Sequence, residues 1–338
     1  MRVAVLFNQD DGLAGGTADD AVAVQAVVAC ARAVADGLAA SGATVALVPV
    51  RPERKRLLRL LADLDADLVF NLVESIGGDP RLEAAFAGAL ELTGLEYTGS
   101  EPRTLASSLD KPLSRVILAA AGVRVPRGAV LAREDEPIAL DYPVIVKPAR
   151  EDASHGIESA SVVYDEAAAR ARAKLVIERY AQPALLEEFV AGREFNVALL
   201  GDGAAATCLS LGEIDFSQFP PDVPRIVTYA SKWLEGSDDW NRTPSGAAKA
   251  LTELERAELE RTALASWAAI GGRDYGRVDL RLDARGRAFV IDLNPNPDLS
   301  PDAGFTLAAG RSGMSHAQLV TRIAELALAR RAARARAG

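Results

Sequence analysis

Hydrophobic and polar positions follow two periods along this chain. Arg2–Phe7 is an apolar run of strand length, repeated at Thr44–Val50 and Asp67–Leu72. A stretch from about Asp20 to Ala40, then Arg54–Leu64 and Arg81–Leu92, carry the wider spacing of amphipathic helices. A loop with Gly12, Gly15 and Gly16 follows the first strand, and Thr17 with Asp19 and Asp20 supplies a helix start. Buried strands alternating with helices predict a doubly wound α/β unit. The loop lacks GxGxxG spacing, which argues against a dinucleotide site and leaves its glycines as turn residues.

From Ser107 the rhythm changes. A helix is expected to close at Ala121-Gly122, followed by short strands at Tyr142–Lys147, Ser159–Tyr164 and Ala184–Val190 around a helix at Glu166–Tyr180, a small α+β unit. Farther on, Arg277–Asp283 alternates polar and apolar, Asp283 to Gly286 reads as a tight turn, and Arg287–Asn294 resumes a strand. Folding this hairpin symmetrically about Arg285-Gly286 pairs Asp283 with Ala288. It also sets Asp279 opposite Asp292 and Arg277 opposite Asn294, all on one face. Carboxylates about 5 Å apart repel unless a cation lies between them. Two carboxylates and an amide oxygen make a partial Mg²⁺ shell that water and phosphate oxygens would complete. An exposed hairpin with solvated acids is the competing explanation. On this reading, neutralising either aspartate relieves repulsion and slightly stabilises the free protein.

With 338 residues and 49% hydrophobic content, the chain is long enough for two or three domains, and no apolar run approaches membrane-spanning length. Strand-like sequence from Arg2 onward leaves no space for a secretory leader, and two cysteines, Cys30 and Cys208, fit a reducing compartment, so cytoplasm is expected. A net charge of -9 argues against a nucleic-acid partner. The basic run Arg330, Arg331, Arg334 and Arg336 is expected to be a solvated helix end.

Lysines form a second cluster. Lys147 ends the apolar run Pro143-Val-Ile-Val, with Pro148 holding it extended, and Lys111 opens a helix after Asp110. The loop EDASHG, 151–156, is small, polar and glycine-ended, suited to folding over an anion through its backbone N–H groups. Either lysine alone would be an ordinary surface residue.

The order of these pieces carries more than any one of them. LELTGLEYTGS (90–100), LDKPLSRVILAAAGVRVP (109–126), YPVIVKPARED (142–152), LLEEFVAGREF (185–195), YASKWL (229–234), GRVDLRLD (276–283), IDLNPNPDLS (291–300) and GMSHAQLVTRIAELA (313–327) run in sequence. Together they cover most of a chain that resembles the D-alanine:D-alanine ligases of the ATP-grasp superfamily. The resemblance implies an α/β fold, α+β overall, in three domains. These are an N-terminal doubly wound α/β substrate domain (1–104), a small central α+β subdomain (105–188) and a C-terminal catalytic domain with an antiparallel sheet (189–338). It implies ATP, with Mg²⁺ or alternatively Mn²⁺. Lys111 and Lys147 match the lysines that touch phosphates, with Ser154 and Gly156 in the covering loop. Glu187, Glu188, Phe189 and Val190 match the hinge strand whose backbone meets adenine, and Glu194 the ribose acceptor. Asp279, Asp292 and Asn294 match the metal ligands. Arg277 matches the arginine that stabilises the tetrahedral intermediate, and Lys232 a lysine carried by a mobile loop, 215–244, that closes as a lid.

The departures fall on the substrates. Asp20 (or Asp19), Ala153 and Trp233 stand where the resemblance would place a hydrogen-bonded Glu, Ser and Tyr. Glu74 takes a histidine's place, Asp298 and Ala303 stand for a glycine and a serine, and Asp292 is one methylene shorter than the usual Glu. His316 is expected on an exposed helix face. The reading is an ADP-forming ligase joining a carboxylate to an amine, with D-alanyl-D-alanine formation for peptidoglycan as the nearest named activity. A ligase for another amino acid or amine, or a non-catalytic ATP-binding protein, are the alternatives. The partners implied are small-molecule amino acids, with neither nucleic acid nor membrane, and a homodimer is among the forms the resemblance allows.

Overall fold

The computed structural model describes residues 1–9, 20–152 and 154–337. Strand β1 (Arg2–Asn8) is followed by helix α1 (Asp20–Ala40), β2 (Thr44–Val50), α2 (Arg54–Ala62), β3 (Leu68–Leu72) and α3 (Leu82–Thr93). The strands form a parallel sheet in the order β2-β1-β3. Alternation along β1 places Val3, Val5 and Phe7 against Ala31, Val34 and Leu38 of α1, and Ala4 and Leu6 against α2 and α3. That is the doubly wound arrangement the pattern predicts. One expectation fails: β2 is not a buried strand. It lies at the sheet edge, where only Val50 is buried and Leu47 is 42% exposed.

The helix expected to open at Lys111 and close at Ala121-Gly122 is α5 (Lys111–Ala120), and a separate helix, α4 (Pro102–Leu109), precedes it. Asp110 breaks them: its side chain accepts from the Leu113 amide at 3.1 Å, so it caps α5 rather than continuing α4. Then come β4 (Gly128–Leu131), β5 (Val144–Pro148), β6 (Val162–Val163), α6 (Glu166–Tyr180) and β7 (Ala184–Glu188), giving a four-stranded sheet in the order β4-β7-β5-β6 under α6. Half of the strand expected at Ser159–Tyr164 is a 3₁₀ turn, Ser159–Ser161, closed by a hydrogen-bonded box with Glu158.

The rest of the chain builds β8 (Arg193–Leu200), β9 (Thr207–Cys208), β10 (Gly212–Ile214), α7 (Tyr229–Trp233), α8 (Asp238–Arg242), β11 (Ser245–Ala247), α9 (Glu253–Ile270), β12 (Tyr275–Leu282), β13 (Ala288–Pro295), α10 (Gly304–Arg311) and α11 (His316–Ala337). Its antiparallel sheet runs β11-β10-β8-β12-β13, with β9 beside β8. Helix α9 lays Trp267 on this sheet, and a Cβ at Gly272 or Gly276 would lie about 2 Å from the indole, so both positions require glycine. Leu118 of α5 joins the same core. Helix α11 returns to the first unit, packing Leu319, Val320 and Ile323 against the α1 side of its sheet.

The basic end of α11 is not simply solvated. Arg330 is drawn into a buried ion pair with Asp274, 3.0 Å from Nη2 to Oδ2, and also bonds the Tyr97 carbonyl. Arg331 reaches the Asp67 carbonyl. His316 is half-buried rather than exposed, because its Nε2 lies 2.9 Å from the Leu299 carbonyl oxygen. Among the described residues no helix is long and apolar enough to cross a membrane.

Candidate active site

One cleft of about 1250 Å³ runs between the three sheets. Its centre is the β12–β13 hairpin. Asp279 pairs with Asp292 and Arg277 with Asn294, as the alternation predicts, but the turn is registered differently. Leu282, not Asp283, faces Ala288, and Ile291 is an extra residue that restores the register before Asp292. Asp283 is withdrawn from pairing because its Oδ1 accepts from the amides of Arg285 and Arg287, each at 2.9 Å.

The carboxylates do not face each other unpaired. Asp279 takes Arg277 bidentately, Nε to Oδ1 at 2.7 Å and Nη2 to Oδ2 at 2.9 Å, and accepts from Asn196 at 2.7 Å and Asn294 at 3.1 Å. Asp292 receives Lys111 at 2.8 Å. The expectation of mutual repulsion in the free protein is therefore corrected: each aspartate is neutralised by a side chain on its own side. Burial would raise Asp292, but Lys111, Lys147 and Lys232 outweigh it and hold its carboxyl below the usual range. Burial would likewise lower Lys111, yet Asp292 and Asp152 keep it raised.

Lys147 is buried at the end of β5, with Nζ 2.5 Å from Glu187 and 3.2 Å from the Ile291 carbonyl. That carbonyl belongs to the extra residue of the hairpin, so the bulge ties Lys147 to β13. Glu187, only 3% exposed, also pairs with Arg115. Glu187, Glu188, Phe189 and Val190 all line the cleft. Glu194 lines it too, with its Oε2 held by Arg281 from Nε at 3.0 Å and Nη2 at 2.7 Å. Arg281 also bonds the Val190 carbonyl and stacks over the Phe189 ring at 4.8 Å.

The segment 215–244 lies across this cleft. The Asp215 amide bonds the Pro244 carbonyl at its base, the Tyr229 amide bonds the Ile157 carbonyl at 2.9 Å, and the Tyr229 ring meets His155 at 5.3 Å. It carries Lys232 and Trp233 into the cleft. Burial and neighbouring Arg277 lower the Lys232 pKa, against the pull of Asp279, Asp292 and Glu194.

Ser154 lines the cleft with φ 62°, whereas Gly156 is not among its lining residues. Gly156, at φ 76°, turns the loop against Pro148, where a Cβ would sit 2.7 Å from the ring. Glu74, Asp298 and Ala303 line the far end of the cleft. Asp20 opens α1 but its side chain lies outside the described set, as do Asp19 and Ala153 entirely.

Sequence reasoning missed Arg281, Asn196, Arg115 and Asp152. Arg281 had a signal, since it continues the one-face alternation Arg277, Asp279, Arg281. Its partner was invisible, because β12 pairs with β8 across a long intervening segment, setting Arg281 opposite Glu194 and Asp279 opposite Asn196.

Hard oxygen donors fit a divalent cation at Asp279, Asp292 and Asn294. Both oxygens of Asp279 already accept from Arg277, and Asn196 and Asn294 donate to them as well, so an arriving cation would displace part of this set. The described residues contain no cluster of three or more His, Cys, Asp or Glu suited to a metal, so the amide is needed to complete a three-ligand set.

The C-terminal part, residues 125–325, matches the family described as D-ala D-ala ligase C-terminus. The chain is 32% identical to the D-alanine–D-alanine ligase of Bordetella petrii over 273 residues, 80% of this chain and 78% of that protein. It is 34% identical to an uncharacterized protein, y4sG, of Sinorhizobium fredii over 261 residues, 77% of this chain and 74% of that one. The crystal structure of D-alanine–D-alanine ligase from Bacillus anthracis complexed with ATP superposes with a TM-score of 0.75 at 18% identity, covering 99% of both chains. The fold is ATP-grasp.

Proposed function

Because the chain belongs to the D-alanine–D-alanine ligase family, we propose that it is an ATP- and Mg²⁺-dependent ligase that joins a carboxylate to an amine through an acyl phosphate. The convergence of Lys111, Lys147, Lys232 and Arg277 on the Asp279–Asp292 pair carries this reading. A carboxylate is a poor electrophile until it takes a phosphoryl group, and that transfer demands charge neutralisation more than covalent help. Lys111, already desolvated, would release Asp292 and turn to the phosphates, and Lys147 would meet them without leaving Glu187. A bound Mg²⁺ at Asp279, Asp292 and Asn294 would supply charge neutralisation and hold phosphate oxygens in line. Glu187 would keep Lys147 extended into the site.

In the second half, the amine attacks the acyl carbon, the C–N bond forms, and the C–O bond to phosphate breaks. Phosphate leaves with the electron pair and takes up the surplus amine proton. Arg277, fixed by both oxygens of Asp279, would stabilise the transient oxyanion. The docked segment 215–244 would keep water from the acyl phosphate. The nucleotide's ribose would meet Glu194, and its base the Glu187–Val190 strand.

A ligase whose product is not D-alanyl-D-alanine is the second reading, supported by Glu74, Asp298 and Ala303 at the far end of the cleft. The test is phosphate release with ATP, Mg²⁺ and single or paired amino acids, with products identified by mass spectrometry. ATP turnover that requires an amino acid and yields an amide supports the reading; ATP binding without amino-acid-dependent turnover defeats it.

A further inference from the structure

Arg281 of β12 is buried, and all three guanidinium nitrogens donate hydrogen bonds. Nε and Nη2 both reach Oε2 of Glu194 on β8, at 3.0 and 2.7 Å, and Nη1 reaches the Val190 carbonyl at 3.0 Å. Nη2 also donates to the Arg225 carbonyl, inside the segment 215–244 that lies across the cleft. The guanidinium carbon is 4.8 Å from the centre of the Phe189 ring and 5.7 Å from that of Phe216, so it is within reach of one aromatic face beside the cleft and one in the segment. One side chain thus joins the cleft-lining Glu194, the Phe189–Val190 stretch and the covering segment.

Two details give this junction a direction. Among the described residues, the hydrogen bonds to the Glu194 side chain fall on Oε2. A carboxylate accepts on each oxygen, which leaves Oε1 for donors arriving in the cleft. The second detail lies in the segment. Its ends are docked through Asp215 on Pro244 and Tyr229 on Ile157, while the amides of Phe219, Val223 and Ile226 between them bond carbonyls of the same stretch, those of Phe216, Pro220 and Pro224. Phe216, Phe219 and Ile226 are buried, and the two rings meet edge to face at 5.3 Å. Arg281 ties this knot to β12 through the Phe216 ring and the Arg225 carbonyl.

We propose that Arg281 is a positioning residue that passes the occupancy of Glu194 to the covering segment. The inference rests on the nucleotide site of the ligase reading, in which the ribose hydroxyls donate to Glu194. A diol on Oε1 fixes the carboxylate, the carboxylate fixes Nε and Nη2, and the planar guanidinium carries that constraint to the Arg225 carbonyl. The segment then docks most firmly over a complete nucleotide. Water is kept from the acyl phosphate while the nucleotide that made it is still seated, and by reciprocity the docked segment tightens the hold on the nucleotide.

Hydrogen exchange read by mass spectrometry tests this on the full chain with Mg²⁺ and no amino acid, comparing ATP with 2′,3′-dideoxy-ATP, each at saturation. Peptides over 187–190 report seating of the base, and peptides over 216–228 report docking. Both nucleotides should protect 187–190. ATP should slow exchange in 216–228 at least about fivefold more than the dideoxy compound, the lower end of ordinary coupling between sites. That difference should vanish in Arg281→Met, whereas an arginine with a merely structural role would weaken protection equally with both nucleotides and leave the difference intact. Arg281→Lys, which keeps the charge without the fork, should lose it too and serves if the methionine variant does not fold. If 187–190 is protected but 216–228 responds alike to ATP and dideoxy-ATP in wild type, or the difference survives in the folded variant, this inference is overturned and the ligase reading stands. If neither nucleotide protects 187–190, the nucleotide site of the ligase reading fails and takes the inference with it.

Discussion

Asp279 and Asp292 stand directly across the β12–β13 pair only because Ile291 is an extra residue between Val290 and Asp292. The same bulge aims the Ile291 carbonyl at Lys147. One irregularity therefore sets both the Asp279–Asp292 pair and the contact to Lys147, as bulges do when they re-aim neighbouring groups.

The first prediction concerns that pair. Asp279→Asn and Asp292→Asn should each lower ATP turnover by at least about a hundredfold, the scale of losing a charge-stabilising group. The structure reverses the stability expected from repulsion. Asp292→Asn leaves Lys111 with only Asp152, and Asp279→Asn leaves Arg277 without its fork, so both variants should lose about 1–3 kcal/mol. Thermal unfolding alongside the activity assay checks this; stabilised variants would show that the ion pairs are not formed.

A second prediction separates nucleotide binding from chemistry. Glu194→Gln should raise the KM for ATP with little change in kcat, and Arg281→Met should do the same because Arg281 fixes Glu194. Arg281→Met should also cost about 3–5 kcal/mol, since a buried carboxylate loses its partner. Lys147→Ala should lower kcat as well, its charge mattering most as the phosphoryl group moves. Steady-state kinetics over a range of ATP concentrations checks this; a kcat loss in Glu194→Gln equal to that in Lys147→Ala would merge the roles.

Local pattern made much of this legible. Helix α6 falls on the expected residues, and the Arg277/Asn294 and Asp279/Asp292 pairs follow from alternation within a single hairpin. What escaped depends on distant chain segments. The edge position of β2 is set by sheet order, not by its own apolar residues. The neutralisation of Asp292 by Lys111 joins β13 to α5, and that of Glu194 by Arg281 joins β8 to β12, which periodicity cannot report.

The C-terminal helix gives a third prediction. Arg330 pairs with Asp274, which is fully buried at φ 62° and also accepts from the Gly99 amide at 2.7 Å, so α11 is fastened to both the first sheet unit and β12. Arg330→Met should cost about 3–5 kcal/mol by stranding that carboxylate. Arg331→Met, which loses only an exposed contact to a carbonyl, should cost under about 0.5 kcal/mol. Equal denaturation midpoints for the two variants would refute the assignment.

The last prediction is a pH dependence of stability. Burial within the cleft, with Asp298 and Asp152 nearby, pushes Glu74 up to about 7 from an ordinary 4.5, and burial with Glu74 raises Glu83 further. Between those values the folded protein keeps a proton on Glu74 that the unfolded chain has already lost. By linkage, raising the pH through that window weakens the fold, and the loss levels off for Glu74 above about 7. Glu83 extends the decline to higher pH. Because the open cleft admits solvent to Glu74, water screens its share, so the direction and the window are the firm expectation. Glu74→Gln cannot lose a proton, and should be the more stable protein above neutral pH while matching wild type near pH 4.5. Urea unfolding of both proteins at several pH values across the window measures this directly: the two stability curves should diverge as pH rises. Parallel curves would mean that Glu74 ionises in the folded protein as readily as in the unfolded chain, and that the far end of the cleft is not the strained acidic environment its carboxylates indicate.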